Sequence, residues 1–210
     1  MLLLFRLPVL FFTCIWLFGC SHQPYILSAD TTYLLPSMQT LPPVEKRKAN
    51  IAFDVAESMT DGLVSIPNEI RETGVASLKY PQREMLMSAG EAITARWFEL
   101  DLKEPEPFHI LARVDAFEKS IQRDTGFVYP VVSMTIEIKV LGINGEVILS
   151  KPYSEKVSGK RIFFSTVQNS MESLNFAFYK AMVIVLDKAM VDVADVVART
   201  HTAGHPPNLP

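Results

Sequence analysis

The sequence predicts an α+β domain: a two-layer sandwich in which a small, mainly antiparallel sheet carries two helices on one face, the C-terminal helix being long. Three observations lead there. Period-two alternation of apolar and polar residues recurs through residues 108–117 and 131–141, and the Asn144-Gly145 turn sends the chain back through a return strand over 146–153, the pattern of strands half buried on one face. Apolar residues at helical spacing mark 81–98 and 165–198. Reading the elements in order gives β-(β)-α-β-β-β-α, which closes as helices packed on one side of a sheet.

The elements follow in turn. Residues 51–55 (Ile51-Ala52-Phe53-Asp54-Val55) alternate and predict the first strand. Gly62, Pro67 and Gly74 punctuate 57–80, where the short apolar pieces 63–66 and 75–78 suit a pair of strands. Pro81 opens the first helix, since proline's missing N–H costs nothing at a first helical position. Leu86, Ala89, Ile93 and Trp97 share one face of it. Gly90 either weakens this helix by roughly 1 kcal/mol against Ala or permits a close helix–sheet contact. Residues 101–107 form an acidic, proline-rich loop. In 108–117 every even position is apolar, which turns Phe108, Ile110, Ala112, Val114 and Ala116 inward and His109 outward. A polar turn over 122–126 leads to 131–141, where Val132, Met134, Ile136, Ile138 and Val140 face the core. Asn144-Gly145 predicts a hairpin with a type I′ turn. The return strand carries Pro152, which marks an edge or a bulge, and runs on toward Gly159.

The last helix has Ser165 with Gln168, or Asn169 with Glu172, as capping boxes. Its apolar stripe is Met171, Leu174, Phe178, Met182, Val185, Ala189, Val193 and Val196, with Asn175, Lys188, Asp192 and Asp195 off it. Some 30 residues at 1.5 Å each reach roughly 45 Å, long enough for a kink to be expected. The organisation is residues 1–19 as a signal, 20–50 as a tether, 51–198 as a single domain and 199–210 as a flexible tail. Within the tether, 25–27 and 33–35 are apolar enough to dock as a short strand.

Composition narrows the function classes. Removing 1–19 takes away Arg6 alone among charged residues, so the remainder carries 19 basic and 23 acidic side chains. This mild acidity lacks the basic face of a nucleic-acid binder, and Glu45-Lys46-Arg47-Lys48 reads as a solvated linker. The two cysteines are Cys14 and Cys20. A body without cysteine has no disulfide, thiolate zinc site or catalytic thiol.

Residues 1–19 read as a secretory signal: a short start with Arg6, then an apolar run over 7–18 that is too short to span a bilayer, for which about 20 residues are needed. Leu17-Phe18-Gly19-Cys20 resembles the bacterial lipobox. Leu17, Gly19 and Cys20 match its pattern, while Phe18 is bulkier than the pattern favours. The resemblance implies cleavage before Cys20 and lipidation of its thiol, with palmitate among the acyl chains. Ser21 in the next position implies outer-membrane sorting, with the domain in the periplasm. Several acyl chains, at about 0.8 kcal/mol per buried CH₂, make a stable anchor.

Past the anchor, roughly residues 50–195 resemble the YajG-type family of outer-membrane lipoproteins. More distantly they resemble the PqiC type, the auxiliary lipoproteins of lipid-handling ABC transporters. The features are the lipobox, the strand near Ile51, and the helix from Arg83-Glu84-Met85-Leu86 to Thr94-Ala95-Arg96-Trp97-Phe98. The strand over 134–140, the turn Asn144-Gly145-Glu146, the strand over 153–159 and the closing helix complete them. The resemblance implies an accessory, partner-binding lipoprotein and carries no site residues with it.

No catalytic, metal or cofactor pattern emerges, and the sequence predicts no enzyme. There is no G-x-S-x-G elbow, no P-loop and no G-x-G-x-x-G. His201 and His205 have the spacing of a helical metal pair but stand beside Gly204 and Pro206 without a further ligand. Glu99, Asp101, Glu104 and Glu106 read as a solvated acidic loop. Met85, Met87, Met134, Met171, Met182 and Met190 read first as core and second as an adaptable groove. Phe163-Phe164 reads as a staple onto the last helix before it reads as an exposed contact. The expected role is that of a lipid-anchored accessory component that binds a protein partner in the envelope, with a homo-oligomer left open. A lipid-binding transport component and a surface-exposed lipoprotein contacting host molecules are the alternatives.

Overall fold

The structure is a computed structural model that describes residues 25–27, 29, 31–59, 61–66, 78–99, 108–163 and 166–204. Nine strands are described: β1 (Tyr25–Ile26), β2 (Arg47–Lys48), β3 (Ile51–Val55), β4 (Leu63–Ile66), β5 (Leu78–Pro81), β6 (Phe98–Glu99), β7 (Phe108–Asp124), β8 (Phe127–Leu141) and β9 (Val147–Ser158). A 3₁₀ turn, Thr31–Tyr33, leads into α1 (Leu34–Met38); α2 is Gln82–Trp97 and α3 is Val167–Gly204.

The main sheet has the order β3-β7-β8-β9. Its β7–β8 and β8–β9 pairings are antiparallel, while β3 lies parallel to β7. Parallel neighbours need a crossover, and α2 lies on the one that joins β3 to β7. The core-facing residues of three strands stand in register: Phe53 beside Ile110, then Ile110 beside Val140. Helices α2 and α3 cover this face, and the sheet's other face is open to solvent. The α+β two-layer sandwich with a long C-terminal helix is therefore present.

Gly90 shows why α2 can lie so close to β3. A Cβ built on it would come 2.0 Å from the Phe53 ring. The glycine trades helix propensity for a close helix–sheet approach, the second of the two expectations for this position. Pro81 is the last residue of β5 and the N-cap of α2, one position earlier than expected, with its backbone (φ −80°, ψ 76°) outside the helical region. The second strand of the 57–80 region is Leu78–Pro81, which pairs antiparallel with β4. It begins where the apolar piece 75–78 was expected to end; residues 67–77 lie outside the described residues.

Strand β7 departs from simple alternation. Val114 pairs with Ile136, but Ala116 pairs with Thr135, so Asp115 is an extra residue. Such a bulge shifts the pleat by one position and exchanges the two faces. Even positions point inward up to Val114 and odd positions after it. Ala116, expected in the core, is exposed, and Phe117 packs inward instead, 4.5 Å from Phe178 between ring centroids. The polar turn expected over 122–126 is tighter than that: both strands continue to a two-residue turn at Thr125 (φ 43°) and Gly126 (φ 87°).

The hairpin at Asn144-Gly145 forms, but its turn is not type I′. Gly145 has φ 78° and Asn144 has no positive φ. Gly145 N–H donates to the Gly142 carbonyl at 2.9 Å, and Gly142 N–H to the Glu146 carbonyl at 2.8 Å. This is the three-residue hairpin in which a left-handed residue follows a type I turn. On the edge strand β9, Pro152 stands opposite Glu137, in keeping with proline's confinement to edges.

Helix α3 is continuous over 38 residues, about 57 Å of rise along its axis. Just before its first residue, Thr166 Oγ1 accepts the Asn169 N–H at 3.2 Å; Ser165, a member of one expected capping pair, lies outside the described residues. The helix runs past 198 because nothing breaks it before Gly204. Its apolar face is far wider than the expected stripe: Ala177, Phe178, Tyr179, Ala181, Met182, Val183, Val185 and Leu186 are all fully buried. Asn175, expected off the stripe, is buried as well. The stretch 25–50 also contributes to the fold. β1 pairs parallel with β5, Leu27 and Leu34 are buried, and α1 packs against α3.

The Gly90–Phe53 contact makes a direct prediction. Gly90→Ala lowers stability by about 1–3 kcal/mol through overpacking, although alanine is the better helix former. Urea unfolding of the single variant and of Gly90→Ala/Phe53→Leu checks it, because the smaller partner recovers part of the loss.

Candidate functional site

The residues with an expected functional role, Leu17, Gly19, Cys20 and Ser21, lie outside the described residues. What is described is the body they would hold, beginning at Tyr25, and its surfaces.

The solvent face of the main sheet is polar and internally paired. The Asp54 carboxylate lies 3.1 Å from His109 Nδ1 across the parallel β3–β7 pair. Arg113 donates to Glu137 at 2.7 Å, Lys139 stands 3.6 Å from the same carboxylate, and the Thr135 and Ser154 hydroxyls share a hydrogen bond of 2.8 Å. These are cross-strand pairs of opposite charge or matched hydroxyls, the ordinary means of stabilising a wetted sheet face. His109 is partly exposed and pairs with Asp54. Among the described residues no group of three or more His, Cys, Asp or Glu side chains could hold a metal ion.

A second set of polar groups clasps α3 from both flanks. On the β9 side, Lys151 Nζ and Tyr153 Oη both donate to Asp192 Oδ2 at 2.7 Å, and Lys188 pairs with Glu155. Hydrogen bonds from Lys151 and Tyr153 hold the Asp192 carboxyl below its ordinary value, and the Lys188 hydrogen bond does the same for Glu155. Burial, together with the Asp192 carboxylate, pushes the Tyr153 phenol up. On the α2 side, Trp97 Nε1 donates to Asp187 Oδ1 at 2.7 Å and Arg96 Nε to the same oxygen at 3.3 Å. The Arg96 guanidinium also reaches the Pro42 carbonyl. Nearby, Arg47 donates to the Ala194 carbonyl at 2.7 Å and pairs with Asp195 at 3.3 Å. Arg47 had read as part of a solvated linker. Its residue sits in β2, beside Phe98 of β6, and ties that small sheet to the last helix.

The apolar groups with a possible binding role sort as follows. Met85, Met134, Met171, Met182 and Met190 are buried in the core, and Met87 packs partly buried against it. The five buried methionines fill space between the layers. Phe163 is exposed and stands against Phe127, with ring centroids 5.4 Å apart, and Phe164 lies outside the described residues. Of the acidic residues 99–106, Glu99 alone is described, and the side chains of His201 and His205 lie outside the described residues. No helix among the described residues is long and apolar enough to cross a membrane.

No family model matches the chain, and neither does any curated protein. Several solved structures resemble it at low sequence identity. Protein XCC0632 of Xanthomonas campestris, of the family model DUF330, shares 10% identity at a TM-score of 0.48, over 85% of this chain and 96% of that one. A candidate lipoprotein of Caulobacter crescentus shares 12% at a TM-score of 0.43, over 55% and 82%. A minor lipoprotein of Acinetobacter baumannii shares 12% at 0.30, over 74% and 94%.

The two clasps predict separate behaviour. Asp187→Ala takes the acceptor from the Trp97 Nε1–H and the Arg96 Nε–H and costs about 1.5–3 kcal/mol, read as a fall in the urea midpoint. Depressed carboxyls contribute stability that is complete above their unfolded values of 3.8 (Asp192) and 4.5 (Glu155) and is lost as pH falls through the lower folded values. Asp192→Asn therefore flattens the acid limb of a melting-temperature profile below pH 4. The raised Tyr153 and Tyr80 phenols have the opposite sign: stability declines as pH rises beyond their unfolded value of 10.0.

Proposed function

We propose that the chain is a non-enzymatic lipoprotein, anchored through lipid on Cys20 to the outer membrane, that serves as an accessory, partner-binding component of an envelope assembly or transport system. The observation that carries this is the segment Leu17-Phe18-Gly19-Cys20, which ends an apolar run too short to span a bilayer and is followed by a body without any other cysteine. Its finer form, a YajG-type or PqiC-type lipoprotein on the periplasmic side, is supported by the sequence resemblance and by Ser21 after the cysteine.

A protein partner is favoured over a bound lipid by the placement of the methionines. The side chains that would make an adaptable acyl groove are taken up between the layers, whereas the helix-free face of the sheet offers polar and charged groups to solvent. Such a face suits a hydrated, charge-matched contact.

The test compares wild type with Cys20→Ala after palmitate labelling and membrane fractionation. The wild type is expected to carry label and to sediment with outer membrane, and the variant to lose both. A variant that keeps label and location would sink the proposal.

A further inference from the structure

We propose that the outward face of the small sheet β1-β5-β4 lies against the membrane surface that holds Cys20, so that the domain is seated on the bilayer instead of hanging free in the aqueous phase. The inference rests on the lipid-anchor reading and adds an orientation to it.

Covalent reach is the first support. Five residue steps separate Cys20 from Tyr25, and a chain spans at most about 3.6 Å per residue, or about 18 Å in total. A body of this size has a radius of gyration of about 16 Å. The tether is thus shorter than the domain is wide. Part of it is spent crossing the headgroup layer, which is roughly 5–8 Å deep on each side of the hydrocarbon. Whichever surface surrounds β1 must then face the lipid.

The nature of that surface is the second support. β1 is part of the packed body: Leu27, the next residue, is buried, and its N–H donates to the Lys79 carbonyl at 2.8 Å. Ile26 stands beside Lys79, and Lys79 beside Ser65. Tyr80, the neighbour of Lys79 on the opposite side of the pleat, is buried against Phe117 and Phe178. Ile26, Lys79 and Ser65 therefore share the outward side, and Leu63 follows Ser65 at the same parity. Ile26 is 51% exposed and Leu63 is 44% exposed. Two open aliphatic side chains flank a lysine at the point where the anchor enters, a composition suited to a headgroup layer that is apolar below and anionic at its surface.

The absence of cysteine after residue 20 permits a clean test. Ser65→Cys and Ser150→Cys each give the acylated full chain a single free thiol; Ser150 is exposed on the helix-free face of the main sheet. Each is labelled with an environment-sensitive fluorophore and reconstituted in phosphatidylethanolamine/phosphatidylglycerol vesicles that contain a headgroup-nitroxide lipid. The label at residue 65 is expected to be quenched several-fold more than that at residue 150. Inserting about 15 Gly/Ser residues between Gln23 and Pro24 adds roughly 20 Å of mean reach and is expected to erase the difference while leaving acylation intact. Equal quenching in acylated, membrane-bound protein overturns the apposition and leaves the anchor standing. Protein that takes no acyl chain and stays off the vesicles overturns the anchor reading, and the apposition with it.

Discussion

Burial of α3 on most of its circumference is the constraint to which the other elements answer. A helix that is apolar nearly all round has to be covered from several directions. Residues 177–186 of α3 leave only Lys180 and Ile184 partly uncovered. The sheet supplies one side of this cover, α2 a second and α1 a third. This explains why the stretch before residue 50 belongs to the fold: without α1, part of the α3 surface would face water. It also explains the polar chemistry found around α3. With so little of the helix open, its charged residues cluster at the rims of the contact, where Asp187, Lys188, Asp192 and Asp195 each meet a partner from a neighbouring element. Isolated surface pairs contribute little. Here they work at the boundary of a large apolar contact and fix the rotation of the helix within it.

The parts of this arrangement that were legible in the sequence are those governed by periodicity. Val132 to Val140 alternate without a break, and all the expected inward residues of that strand are buried. The two main helices, the edge position of Pro152 and the close approach at Gly90 follow from equally local chemistry. What was not legible depends on partners distant in sequence. Nothing near Asp115 announces a bulge, because the bulge is a relation between β7 and β8. Asn175 looks polar enough for a surface, yet it lies on the part of α3 that the rest of the fold encloses. Arg47 sits in a charged run that resembles a linker, and only the arrival of α3 from nearly 150 residues later gives its guanidinium a carbonyl and a carboxylate to hold.

The functional reading divides along the same line. An address is written in a short, contiguous segment and can be read from it. Partner recognition is a property of a surface, and the surface becomes visible only once the strands are paired. The face that the helices leave open carries complementary charges and hydroxyls on adjacent strands, already matched among themselves. A partner docking there would have to exchange those internal pairs for its own, which favours selectivity over raw affinity. The small sheet that contains β1 shows open aliphatic side chains instead. The two surfaces differ in kind, as would be expected of a body that meets two different neighbours.

The extra residue in β7 reaches beyond local geometry. Because it exchanges the two faces of the strand, the halves of β7 obey opposite rules for which positions tolerate polarity. A gain or loss of one residue between Val114 and Phe117 would swap those rules, turning Phe117 to solvent and Glu118 toward Phe178. The same change at the Thr125-Gly126 turn would alter only the tip of a hairpin. Length variation among descendants of such a chain is therefore channelled to the tips, and the middle of its longest strand is held to a fixed residue count even where individual side chains are free to drift.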